Sequence, residues 1–137
     1  MKVLCFYTTS FSYTIGEKNH EEAIDAPCPA SFAECIVAYI QVEEADELQD
    51  VKSREKKLSN HLKWVARKNG TEKIVLHSFA HLSSSKASMQ FTRSLFDAAL
   101  ERLQNGGYQV SVTPFGYFLN LKMEAPGFSM ARIWAEL

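Results

Sequence analysis

The chain has 137 residues, 46% of them hydrophobic and 23% charged, with a formal net charge of -1. That length suits one domain around a single core, and the apolar share excludes a disordered chain. The balanced charge excludes a surface that is basic all over and grips long nucleic acid by phosphate neutralisation, but not one that binds only the end of an RNA. Cys5, Cys28 and Cys35 form no CxxC pair and leave an odd count, so free thiols in a reducing cytoplasm are expected. The four histidines, His20, His61, His77 and His81, show no HExxH pattern and no zinc spacing, so neither metal nor other cofactor is expected.

From the N-terminus, MKVLCFYTTSFSY is too short and too polar after Tyr7 for a signal peptide or a membrane span. Val3, Cys5 and Tyr7 alternate, so Lys2 to Thr8 predicts a strand. The polar stretch from Gly16 to Ser31, with Pro27 and Pro29, predicts a loop. The run Ile36-Val37-Ala38-Tyr39-Ile40 has the β-branched and aromatic character of a central strand. From about Asp46 to Lys68 the spacing turns helical, with Val51, Leu58, Leu62 and Val65 on one stripe and Asn69-Gly70 as the stop. The opposite, charged side reads as a solvated face, from which Lys63, Arg67 and Lys68 could touch RNA phosphates.

Lys73 to Ser78 predicts a buried strand. Ser83, Ser84 and Ser85 offer N-cap hydroxyls for a second helix through about Gln104, with Met89, Leu95, Phe96, Ala99 and Leu103 inward. Asn105-Gly106-Gly107 ends it. Tyr108 to Val112 and Tyr117 to Glu124 predict two strands joined by Thr113-Pro114-Phe115-Gly116, expected to pair as a hairpin. After Pro126-Gly127, SMARIWAEL predicts a final helix left open at Leu137, as in a piece of a longer protein or a chain that continues into a partner. The order implies one α/β domain with a mixed sheet and flanking helices, parallel around the helix crossovers and antiparallel in the hairpin.

Two segments at strand ends concentrate unusual residues: Ser78 to Ser84, and Thr113 to Tyr117. Ligands of open α/β sheets sit beyond strand ends, where main-chain groups and a helix N-terminus are free to bond. Gly116 lets the main chain approach a ligand closely. Each segment also has a plain reading, a capped loop or a turn with packing aromatics. His77, inside the strand, reads as a packed or edge histidine.

Taken together, FAHLSS after a strand, then a helix, an alternating strand and PFGY resemble the N-terminal editing domain of archaeal threonyl-tRNA synthetases. MKVLCFYTTSFSY and IVAYIQVEEAD are similar too, so the likeness runs over nearly all of residues 1–137. It implies the fold of D-aminoacyl-tRNA deacylases and a homodimer. It also implies ester hydrolysis at the 3′ end of threonine tRNA carrying L-serine, without metal or covalent intermediate. The catalytic synthetase domain or protein would be a further partner. The positions matching the family's substrate site are Val42, Ser78, Phe79, Ala80, His81, Phe115, Gly116 and Tyr117. Ala80 and its neighbours would contact substrate and water, Phe115-Gly116 the carbonyl side, and His81 the terminal adenosine. Lys122 matches a family lysine on its strand and joins Ala80 and His81 as a catalytic candidate. Four positions depart from the family pattern: Leu119 replaces a lysine, Arg132 a glutamate, and Phe128-Ser129 a His-Pro pair. The alternatives are a stand-alone D-aminoacyl-tRNA deacylase, a non-catalytic tRNA-docking module, or a structural α/β domain.

Overall fold

Strand-favouring residues continue well beyond Thr8, and in the computed structural model, which describes residues 1–137, the first strand is correspondingly long. β1 (Lys2–Lys18) runs antiparallel to β2 (Ala30–Gln41), in register from Lys2 opposite Gln41 to Tyr13 opposite Ala30. The loop expected from Gly16 to Ser31 therefore shrinks to residues 19–29. A 3-10 turn, Glu44–Leu48, leads to α1 (Val51–Lys68), whose N-cap Asp50 accepts from the Ser53 amide at 2.8 Å. β3 (Lys73–Ser78) follows, then α2 (Met89–Asn105), β4 (Gln109–Val112), β5 (Tyr117–Glu124) and β6 (Arg132–Glu136).

The strands form one sheet in the order β4-β3-β2-β1-β5, with β6 also on β1. β2, β3 and β4 are parallel, as the two helix crossovers require, and the remaining pairs are antiparallel. Both helices bury one stripe: Leu58, Leu62 and Val65 of α1, and Leu95, Phe96, Ala99 and Leu103 of α2. These pack on Val3, Cys5, Ile36, Ala38, Ile40, Ile74 and Leu76. Each fully buried aliphatic side chain contributes about 1.5–3 kcal/mol. The intervening residues, Cys35, Val37, Tyr39 and Val75, form a second cluster with Phe11 and Tyr13. The Tyr39 hydroxyl reaches the Met123 sulfur at 3.6 Å across β1, so the sheet curls strongly here.

Three expectations need correction. The hairpin does not form: β4 pairs with β3 at one edge, and β5 pairs with β1 toward the other. The Thr113 amide donates to the Leu76 carbonyl at 3.0 Å, carrying the β3–β4 ladder to its end before the chain turns away. The connection also lacks the short Asn-Gly type turn that folds a strand back on itself. The final helix is absent as well, because only Ser129–Ala131 makes a helical turn and Arg132–Glu136 is a strand. It pairs from Phe6 opposite Arg132 to Lys2 opposite Glu136, satisfying a β1 edge that would otherwise carry unpaired main-chain groups. Lastly, the second helix starts at Ser88, whose hydroxyl accepts from the Phe91 amide at 3.2 Å, and Ser83 to Ser85 lie outside it.

Candidate functional site

The parallel strands β2 and β3 end side by side, so the segments leaving their C-terminal ends are held against each other. The Phe79 amide donates to the Ile40 carbonyl at 3.0 Å, and the Ala87 amide to the Val42 carbonyl at 2.8 Å. Between these ties, Ala80 to Lys86 loops outward before α2 begins. The Pro114–Gly116 turn closes the opposite side. The result is a cleft of about 640 Å³ with half of its lining residues hydrophobic.

All eight residues expected to hold substrate line it: Val42, Ser78, Phe79, Ala80, His81, Phe115, Gly116 and Tyr117. Lys122 does not; it lies exposed in a separate shallow groove with Ser12, Tyr13, Ser31 and Asn120. Leu119, which stands where the family pattern has a lysine, does line the cleft.

The walls are aromatic and mutually braced. Phe79 sits edge-on to Tyr39 and to His81, with ring centroids 5.1 and 5.0 Å apart. Phe115 leans on Phe96 at 5.2 Å, and the Arg93 guanidinium lies 5.5 Å from its ring centre. Such packing fixes ring planes and so fixes the shape of the site. The chemistry available from the main chain is distinctive. The amides of Ala80, His81, Phe115 and Gly116 donate to no other main-chain group. Four main-chain donors, on two segments that line one cleft, therefore carry no hydrogen bond within the chain.

Gln41 and His20, which sequence reasoning passed over, line the cleft beside His77. Gln41 is buried, and its side-chain oxygen accepts from the Leu82 and Ser83 amides at 2.6 and 2.7 Å. Its side-chain nitrogen donates to the Ser83 and Ser85 carbonyls, each at 2.9 Å. The available signal was a glutamine closing the apolar Ile36–Ile40 run, and only the fold shows what it binds. His77, read as a packed histidine, is packed: Nδ1 lies 2.8 Å from the Thr113 hydroxyl, and burial depresses its pKa to about 4. It also lines the cleft, as a neutral ring near pH 7. His20 reaches the cleft from the 19–29 loop, its Nδ1 accepting from the Glu22 amide at 3.1 Å. That loop is fastened to the turn, with the Asn19 amide donating to the Gly116 carbonyl at 2.8 Å and the Tyr117 hydroxyl to the Ile24 carbonyl.

Comparison with known families gives a match along residues 1–137 to the archaea-specific editing domain of threonyl-tRNA synthetase. The chain belongs to this family. The threonine–tRNA ligase of Thermofilum pendens is 29% identical over 136 residues, and that of Pyrococcus furiosus 28%. Each match covers 97% of this chain but 22% of the relative, so the editing domain spans about a fifth of the length of those ligases. Among solved structures, the c-Myc DNA unwinding element binding protein superposes with a TM-score of 0.68 at 17% identity, over 100% of this chain and 99% of that one. At that identity the likeness concerns the fold. The expected fold class, one α/β domain with a mixed sheet and flanking helices, of the D-aminoacyl-tRNA deacylase type, is the one observed. No helix of the editing domain is long and apolar enough to cross a membrane.

Proposed function

We propose that this editing domain hydrolyses L-serine esterified to the 3′ end of threonine tRNA and spares the threonyl ester. One observation carries the reading. Ala80, His81, Phe115 and Gly116 line one cleft on two facing segments, each with an amide free of main-chain partners, within a family defined by threonyl-tRNA synthetase editing.

The chemistry follows from that arrangement. Water attacks the ester carbonyl carbon, a tetrahedral oxyanion forms, and the bond to the ribose 3′-oxygen breaks to release serine and intact tRNA. Fixed amide donors at the developing oxyanion lower that barrier without reorganising, and losing one such donor typically costs about 2.7–4 kcal/mol. Ala80 and its neighbours hold substrate and water, Phe115-Gly116 faces the carbonyl, and His81 orients the terminal adenosine. The terminal ribose 2′-hydroxyl positions the water. Lys122 has no part within its own chain's cleft, and Leu119 offers no proton, so the burden rests on the main chain and the RNA.

The need for such a site is energetic. Serine lacks one methyl of threonine, and a synthetic site can discriminate against its absence by only about 1–3 kcal/mol. A closely walled hydrolytic site reverses the problem, because it must exclude the larger group, and overpacking is steeply unfavourable. The homodimer belongs to the same proposal. Phe118, Leu121 and Met123 on β5 and Trp134 on β6 are exposed apolar side chains that a second copy would cover.

Deacylation time courses test the reading with L-seryl-, L-threonyl- and D-seryl-tRNA(Thr). Fast release of L-serine with the threonyl ester intact is the expected result. No release above the buffer rate would leave a tRNA-docking module, and cleavage of the D-ester alone would make the chain a D-aminoacyl-tRNA deacylase.

A further inference from the structure

The charge of this molecule is balanced overall but not locally. α1 carries Lys52, Lys56, Lys57, Lys63, Arg67 and Lys68, and none of the six lies within ion-pair distance of a carboxylate. The helix has a single acid, Glu55, which is buried and bonded to Ser59 and to the Arg102 guanidinium at 2.5 Å. Its remaining cation, Arg54, is buried against Asp46 at 2.7 Å. With a net charge of -1 for the whole chain, the rest of the surface is acidic on balance. At about 100° per residue the six cations share one side of the helix with Asn60 and Trp64, opposite Leu58, Leu62 and Val65. Trp64 is 40% exposed. A row of unpaired cations that includes an aromatic ring suits phosphates and sugars.

The position of the helix matters as much as its charge. The Ser83–Ser88 rim of the cleft is laced to the segment that leads into α1. Ser83 donates to Glu43 at 2.7 Å, the Glu44 amide donates to the Ser85 hydroxyl at 3.0 Å, and Ser88 donates to Glu47 at 2.9 Å. A cleft of about 640 Å³ takes a terminal nucleoside with its amino acid, so the remainder of a tRNA lies outside it.

We propose that the outward face of α1 binds the RNA sugar-phosphate backbone and holds the stem of the tRNA whose 3′ end enters the cleft. This rests on the editing reading above, and adds to it where the body of the substrate lies. The binding is independent of base sequence, because phosphate contacts position a nucleic acid without reading it.

The test uses Lys56→Glu/Lys63→Glu/Arg67→Glu and the milder Lys56→Gln/Lys63→Gln/Arg67→Gln, all at positions away from the cleft. Two seryl esters are compared, full-length seryl-tRNA(Thr) and a seryl CCA trinucleotide, alongside anisotropy of labelled uncharged tRNA across a salt series. The glutamate variant is expected to lose about tenfold or more in kcat/KM on the full tRNA at low salt, with the trinucleotide unchanged. The slope of log affinity against log salt should fall by about 0.7–0.9 for each phosphate that the variant no longer neutralises. Unchanged tRNA affinity and slope would overturn the proposal, as would equal losses on both esters. If the wild-type chain hydrolyses neither ester, the editing reading fails while the anisotropy series still decides the role of α1.

Discussion

Gln41 spends the whole hydrogen-bonding capacity of its side chain on one loop. Two acceptor positions take the Leu82 and Ser83 amides, and two donor hydrogens go to the Ser83 and Ser85 carbonyls. No other uncharged side chain of this size supplies both donors and acceptors in that form. In Gln41→Met the volume stays and the bonds go, leaving partly buried main-chain groups unpaired at about 1–3 kcal/mol for each group that water cannot reach. The expected outcome is a loss of about 2–3 kcal/mol in urea unfolding and a drop of tenfold or more in kcat/KM on the seryl ester. Gln41→Glu keeps the acceptors but sets a buried carboxylate oxygen against the Ser83 and Ser85 carbonyls, so it should destabilise at least as much as Gln41→Met. A Gln41→Met protein with wild-type stability and kinetics would show that the loop needs no such brace. Gly116 shows a different constraint at the same scale. Its φ is +82°, and a Cβ there would come within 2.6 Å of the Ala23 side chain, so the loop over the turn can close only on a glycine. The need for a glycine was legible in PFGY, but the reason found was the 19–29 loop packing on it. The loop's role could not be read from a sequence stretch without periodic apolar spacing, in which nothing marks Ala23 as the contact for Gly116.

Among the elements, those whose periodicity is tied to their own burial were readable in the chain. The stripe Leu58, Leu62, Val65 is fully buried, and so is the Ile36–Ile40 run except for a slightly accessible Tyr39. What failed depended on partners distant in sequence. The strand Arg132–Glu136 forms because β1 offers it a free edge, and a five-residue segment flanked by Met130, Ala131 and Leu137 has no intrinsic helix preference strong enough to resist. Likewise, two strands four residues apart looked like a hairpin, and only the parallel placement of β4 on β3 sends them to different parts of the sheet. That the residues at the ends of β2, β3 and β4 would line one cleft was legible because strand ends and a helix start converge wherever crossovers are parallel. Lys122 was assigned by likeness to a lysine on the same strand, and alternation along β5 combined with the curl of the sheet puts it in another groove.

At the scale of the whole molecule, acid should act on stability through groups held in their neutral or paired forms. Burial lowers the His77 pKa from 6.5 to about 4, so the unfolded chain takes up a proton more readily than the folded one between those values. The stabilising contribution is full above pH 6.5 and declines as pH falls toward 4. Burial of His61 lowers its pKa in the same direction. Glu43 acts in a more acidic window: chiefly its bond to the Met1 ammonium, aided by Ser83 and Lys2, holds its pKa at about 2 against 4.5. Its contribution is present above pH 4.5 and lost below. Urea titrations at pH 7.5 and pH 5 should differ by about 2 kcal/mol on account of His77. His77→Gln should remove most of that difference, whatever it does to stability at pH 7.5. If the variant keeps the full pH dependence, the His77–Thr113 pair is not its source.

Editing by this domain depends on where the aminoacyl group sits, and amide chemical shifts report that position directly. With a stable analogue, L-serine joined by an amide to 3′-aminoadenosine, the amides of Ala80, His81, Phe115 and Gly116 should shift together and saturate. The L-threonyl analogue at the same concentration should move them little. Shifts confined to the Ser12–Ser31–Lys122 groove, or equal responses to both analogues, would contradict a serine-selective cleft built from these four amides.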